Sequence, residues 1–304
     1  MSESIIKIIM TGLDNSGKTS IIYTLEQKFA SMYALKPTVS FSVKEDFKIL
    51  GLPIKIWDLG GQKQYRDEYL SKKGFIFGET NLIFYVIDVQ DTKRFAETVD
   101  YFEKSMEFLI KLGLRPIIII LLHKTDPEIK NNSKIRKNID ILKEHFSELP
   151  SLIKVKFYET SIYDRENLSK VFITGIFKVL PKTAVLKEAL NDFIGQSDAL
   201  AVVLLDENVL ILAEASIDET ALNICQVTGV YFANMTERLI KYNLIPPKVL
   251  EAQMENGWVF QKPIQIDSNR FYLILFSKDR NLERINKLLP TITKDISNLI
   301  KYVI

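Results

Sequence analysis

Residues 5–22 read IIKIIMTGLDNSGKTSII, and the eight letters from Gly12 to Thr19, GLDNSGKT, decide the fold. They fit GxxxxGK[ST], directly after a strand-like run of branched aliphatics (IIKIIM, 5–10) and directly before a helical run carrying Ile21, Ile22, Leu25 and Phe29. In that setting the pattern has a mechanical meaning. Glycines let the backbone wrap an anion, successive N–H groups point inward, and the following helix presents its N-terminus to the phosphates. Asp14, Asn15, Ser16, Gly17, Lys18, Thr19 and Ser20 are therefore the predicted phosphate cradle, with Lys18 bridging the β and γ phosphates and the Thr19 hydroxyl on Mg2+.

Around this loop, short apolar runs alternate with helical patterns from 5 to about 180, the sequence form of a mostly parallel sheet covered by helices. IKIW (54–57), LIFYVID (82–88), IIIILL (117–122) and IKVKFY (153–158) read as further strands. FSVKEDFKIL and the IKIWD run flank Gly51 and Pro53 and predict a hairpin that adds one antiparallel edge. Phe95, Val99, Phe102, Met106, Leu109 and Ile110 recur at three- and four-residue steps, a helix facing the core.

Two stretches then narrow the chemistry from any nucleoside triphosphate to a switch. WDLGGQ (57–62) ends a strand with Asp58, placed to hold Mg2+ through water, followed by Gly61, whose N–H senses a γ-phosphate, and Gln62, which orients an attacking water. KPTVSF (36–41) supplies Thr38 on a loop, where its hydroxyl completes the metal shell only while the γ-phosphate is present. The expected metal ligands are thus Thr19, Thr38 and Asp58, and the expected catalytic residues Gln62, Lys18 and Thr38. HKTD (123–126) ends the IIIILL strand and ETSIYD (159–164) follows IKVKFY. Taken alone, HKTD is either a base reader with an altered first letter or four polar residues closing a strand.

After VLPKT (179–183) the pattern changes: AVVLLD (200–205) and VLILAE (209–214) follow each other across ENV, which predicts an antiparallel hairpin. A long helix with Ile224, Tyr231, Met235 and Leu239 on one face, two strands (257–266 and 271–276) and a final helix complete an α+β domain. That helix carries Leu282, Ile285, Leu289, Ile292, Ile296 and Leu299, with Pro290 expected to kink it. We place the boundary at 182/183, giving domains 1–182 and 183–304 of the 304 residues.

Composition bounds the rest. With 47% hydrophobic and 26% charged residues the chain is globular, and its net charge of +2 comes from well mixed acids and bases, so no nucleic-acid surface is expected. One cysteine and two histidines give neither an intramolecular disulfide nor a zinc site and fit a reducing, cytoplasmic compartment. No apolar run approaches the roughly 20 residues of a bilayer span, Ser2 is not a myristoylated glycine, and KYVI lacks a prenylatable cysteine. Membrane attachment is expected only through a partner.

GLDNSGKTS and WDLGGQ resemble the Arf branch of small GTPases, and LIFYVIDVQD, HKTD and FYETSIYD resemble the Rag/Gtr GTPases, whose chains continue into a roadblock-type domain of this length and element order. The resemblance implies a P-loop small-GTPase domain with a mostly parallel six-stranded sheet and helices on both faces, followed by an α+β roadblock/longin-like domain. It implies GTP and GDP as ligands with Mg2+. It gives Asp126 to guanine N1 and N2, the Lys124 stem to the ring, a backbone N–H at Ser161 or Ile162 to O6, and to His123 the task of tying this loop to the phosphate loop. It further implies a homodimer, or a heterodimer with a related Rag-type chain, through 183–304, docking on roadblock/longin-type scaffold proteins, and regulation by exchange and GTPase-activating factors. Asp14 sits where it crowds the attacking water, and no internal arginine finger is evident in the sequence, so slow intrinsic hydrolysis is expected. Two further functions remain open at this stage: a scaffold that holds nucleotide without useful turnover, and an Arf-like trafficking GTPase.

Overall fold

The protein is described from a computed structural model, covering residues 5–26, 36–49, 52–72, 74–147, 154–180, 184–280 and 283–303. Apart from Ile49, which is grouped with the second, the described residues divide into two compact units between Val179 and Leu180. Residues 181–183, where the sequence reading sets its boundary, lie outside the described residues, as do Phe29 and Leu282.

The first unit runs β1 (Ile6–Thr11), α1 (Lys18–Leu25), β2 (Phe41–Ile49), β3 (Leu52–Leu59), α2 (Lys63–Lys72), α3 (Gly74–Phe77), β4 (Leu82–Asp88), a 3-10 turn (Thr92–Arg94), α4 (Phe95–Lys111), β5 (Ile117–His123), α5 (Ser133–Ser147), β6 (Val155–Thr160) and α6 (Arg165–Val179). Six strands form one sheet in the order β2-β3-β1-β4-β5-β6, and β3, β1, β4, β5 and β6 run parallel. Leu82 to Val86 of β4 are fully buried, and Ile119 to Leu122 of β5 nearly so, as unbroken aliphatic runs must be when helices cover both faces of a parallel sheet. The predicted stripe on α4 holds at Phe95, Phe102, Met106 and Leu109, while Ile110 is half exposed, because the core subtends only part of the helix.

Sheet order positions the site. β1 lies between β3 and β4, so the connections leave β1 toward opposite sides, and the crevice outside the carboxyl ends of the strands opens there. Register brings the strand ends together: Met10 faces Asp58, Asp88 faces His123, and His123 faces Thr160.

The second unit runs α7 (Ala184–Gln196), β7 (Ala199–Asp206), β8 (Ile211–Ser216), α8 (Glu219–Lys241), β9 (Leu250–Met254), β10 (Gly257–Ile266), β11 (Asn269–Ser277) and α9 (Glu283–Val303), with an antiparallel sheet ordered β8-β7-β11-β10-β9. The edge strand β9 escaped the sequence reading, since its residues LEAQM carry no β-branched or aromatic side chain. α9 continues through Pro290. On α8 the core side is made of small residues, Ala221, Cys225, Gly229 and Ala233, all buried, whereas Tyr231 is 72% and Met235 44% exposed. The helix lies so close to the sheet that a Cβ at Gly229 would sit 2.7 Å from Ile274 Cγ1. Tyr231 and Met235 therefore face away from the core, while Leu222, Ile224, Val230 and Phe232 pack against its flanks.

Candidate functional site

The turn between β1 and α1 closes at Gly17, whose φ of 99° is a left-handed setting that side chains disfavour. A Cβ at that position would lie 2.5 Å from Cδ2 of His123, whose buried ring packs against the loop from the end of β5. The ring is itself fixed by a 3.0 Å hydrogen bond between Nδ1 and the Thr160 hydroxyl. Burial, helped by the neighbouring Lys124 charge, pushes the His123 imidazole down to about 4. The unfolded chain takes up a proton near 6.5 while the folded one resists it, so stability is lost as pH falls from 6.5 to 4, by up to about 3 kcal/mol. Comparing urea unfolding of wild type and His123→Asn across that range checks this. The wild-type advantage is expected to shrink steadily below pH 6.5, and a pH-independent difference would refute it.

Lys18 is buried at the start of α1, donating to the carbonyls of Leu13 (2.7 Å) and Gly12 (3.1 Å). Burial pushes its ammonium down to about 8, against the pull of Asp58 and Asp14. An anion laid beside it restores its ordinary basicity, which is a favourable binding term. Ser16 is buried next to it with its hydroxyl unpartnered.

The hydroxyls of Thr19 and Thr38 both donate to Oδ2 of Asp58, at 2.6 and 3.1 Å, and lie 3.1 Å apart. Burial raises the Asp58 carboxyl above its ordinary value, with Thr19 and Lys18 opposing. Its other oxygen, Oδ1, is buried without a hydrogen-bond partner. Oxygen donors from three separate segments around one under-satisfied carboxylate fit Mg2+, a hard cation that keeps part of its water shell.

The segments bearing Thr38 and Gln62 are physically joined. The Gly60 N–H and the Tyr69 hydroxyl both donate to the Ser40 carbonyl. Gly61 lies against the phosphate loop so closely that a Cβ would be 2.2 Å from the Asp14 nitrogen. Gln62, Thr38, Asp14, Asn15, Ser20 and Lys18 line one cleft.

At the ends of β5 and β6, the Ser161 hydroxyl donates to Oδ1 of Asp126 at 2.5 Å and accepts the Tyr163 N–H at 3.1 Å. Lys124, in a left-handed conformation at φ 63°, pairs with Asp88 at 2.7 Å, while the Gln90 amide holds its carbonyl. The structure thus brings Lys124, Asp126 and Ser161 together. Ile162 lies in the turn after Ser161.

The sequence reading missed Asp88, Thr160 and the group Arg94, Glu97 and Arg66. Arg94 Nη2 pairs with Oδ1 of Asp14 at 2.5 Å and its Nε with Glu97 at 3.0 Å, and Glu97 in turn pairs with Arg66. The available signal was the three-residue step in DTKRFAE, which sets Arg94 and Glu97 on neighbouring turns.

A phosphate loop at the switch point of a mostly parallel sheet, with two coupled segments meeting its magnesium-side hydroxyl, defines the small-GTPase class. Residues 7–237 match the Gtr1/RagA G protein conserved region, and the chain belongs to that family. It is similar to Ras-related GTP-binding protein A of Dictyostelium discoideum, 25% identical over 215 residues spanning 69% of each chain. It is also similar to GTP-binding protein gtr1 of Schizosaccharomyces pombe, 23% identical over 219 residues, 70% of this chain and 69% of that one. A shorter likeness, 37% identity over 92 residues, links 30% of this chain to 48% of ADP-ribosylation factor-like protein 3 of Chlamydomonas reinhardtii. A G protein takes GTP and GDP with Mg2+ as counter-ion, and the donors described above fit both.

Proposed function

We propose that this protein is a GTP-hydrolysing molecular switch. The observation that carries the reading is the convergence of Thr19, Thr38 and Asp58 from three segments beside a cleft that Gln62 also lines. Bound Mg2+ supplies charge neutralisation at the β and γ phosphates. Lys18 holds the same phosphates from the floor of the cleft, and Thr38 holds its loop against Asp58. Gln62, whose carbonyl accepts the Tyr65 and Arg66 N–H groups at the head of α2, orients the attacking water. Because Ser40 binds both Gly60 and Tyr69, a change at Thr38 is passed to the segment bearing Gln62. Single-turnover hydrolysis is the test: Gln62→Leu is expected to be slower by about 100-fold, the scale of losing one positioned polar group. Equal, negligible rates in both proteins would favour the alternative, a scaffold that holds nucleotide without turnover.

The second unit is the dimerisation element, a roadblock-type domain in this reading. Val227, Tyr231 and Met235 form an exposed apolar stripe on α8 at four-residue steps, and among the described residues β9 is an edge strand of the sheet. A second copy, or a related chain, covers both across a two-fold axis. Among the described residues no helix is long and apolar enough to cross a membrane, and membrane recruitment in this reading comes through roadblock or longin-type partners. The full chain is expected to run as a dimer in sedimentation, and Tyr231→Glu with Met235→Glu as a monomer that still binds nucleotide. A wild type that stays monomeric at micromolar concentration, alone and mixed with a related chain, refutes this assignment.

A further inference from the structure

Asp14 lines the cleft with Gly61, Gln62 and Thr38, its backbone nitrogen lies against Gly61, and its carboxylate is near enough to Lys18 for the two charges to interact. An unopposed carboxylate there repels the extra charge that distinguishes a triphosphate from a diphosphate. It is opposed: Arg94 donates through Nη2 to its Oδ1 at 2.5 Å and through Nη1 to the Asp14 carbonyl at 3.3 Å. Arg94 cannot turn elsewhere freely, because its Nε is held by Glu97 at 3.0 Å and Asp91 lies at 3.9 Å. Glu97 also takes Arg66, which is buried on α2 with its guanidinium 5.0 Å from the centre of the Tyr101 ring. Arg66 donates its backbone N–H to the Gln62 carbonyl. Charged contacts thus run from Asp14 through Arg94 and Glu97 to Arg66, and a neutral backbone hydrogen bond in the first turn of α2 joins Arg66 to Gln62.

Resting on the reading of the cleft as a GTP site, we propose that Arg94 is a positioning residue that neutralises Asp14 and so sets the preference of the site for GTP over GDP. It does this while tying the phosphate loop to the helix behind Gln62. The group that sequence alone casts as crowding the attacking water is, in the folded chain, one end of this tie.

The test measures GTP and GDP affinities for wild type, Arg94→Ala, Arg94→Lys, Asp14→Asn and the Arg94→Ala/Asp14→Asn pair, with melting temperatures alongside. Removing the arginine is expected to weaken GTP about tenfold more than GDP, a coupling typical of charged neighbours. Lysine, which keeps the charge without the fork, is expected to restore part of the ratio. In the Asp14→Asn background the same removal is expected to change the ratio by less than about twofold. Equal weakening of both nucleotides that tracks melting temperature, or a shifted ratio that Asp14→Asn does not restore, overturns the proposal. If wild type binds both nucleotides and the ratio is unmoved by Arg94→Ala, only this inference fails. If wild type binds no GTP, the reading of the site fails with it.

Discussion

Gly17→Ala is expected to lower the affinity for GTP and GDP by about 100-fold or more. Two costs add. The residue sits at φ 99°, where a non-glycine residue carries strain of about 1–3 kcal/mol. The new methyl also lies 2.5 Å from the His123 ring, and overpacking against a buried group costs about 1–3 kcal/mol more. The ring cannot swing clear, since Thr160 holds Nδ1 and the residue is only 2% exposed. Strain is therefore relieved by moving the loop, and loop N–H groups that move no longer converge on phosphates. Titration with a fluorescent GDP analogue measures the loss. Because only the second cost involves the ring, His123→Ala in the same chain is expected to recover about tenfold. Wild-type affinity in Gly17→Ala would mean that His123 does not back the loop in solution.

Asp126→Ala is expected to remove the discrimination of guanine from adenine by about 100-fold or more. A carboxylate that accepts two base N–H groups contributes about 1.5–3 kcal/mol through each, and adenine offers no such pair. Ser161, whose hydroxyl is held by Asp126 at 2.5 Å, loses its acceptor in the same substitution, so the second base loop loosens too. Competition of ATP against GTP gives the readout. A GTP preference that survives the substitution would move base recognition away from HKTD and leave Lys124 and Asp88 as a structural pair.

How far each part was legible follows from the range of the interactions involved. The sheet was legible because β1, β4 and β5 are written as nearly unbroken apolar runs, as burial on both faces demands, and because β3 alternates at the two-residue step of a strand. The phosphate loop was legible because its contacts lie within eight consecutive residues. The face of α8 was not. Large apolar residues at helical steps ordinarily mark a core, yet here the helix approaches its sheet through Gly229 and its alanines and leaves Tyr231 and Met235 outside. Periodicity reports that a helix has two unlike faces, and only packing tells which one is covered. β9 was hidden for a related reason, since an edge strand needs no buried run on both sides.

The site divides the same way. By itself the sequence determined which chemical groups are available, a glycine-lined turn, one lysine, two threonines, an aspartate and a glutamine, and the order in which the chain delivers them to strand ends. Tertiary structure alone decided that the His123 ring, expected beside the phosphate loop, meets it at Gly17, that Ser40 joins the segments bearing Thr38 and Gln62, and that Asp14 is paired across 80 positions with Arg94. Local sequence encodes backbone geometry because neighbouring residues share dihedral constraints. Charge pairing and close packing join residues distant in the chain, and these become definite only once the sheet has set its strands in order.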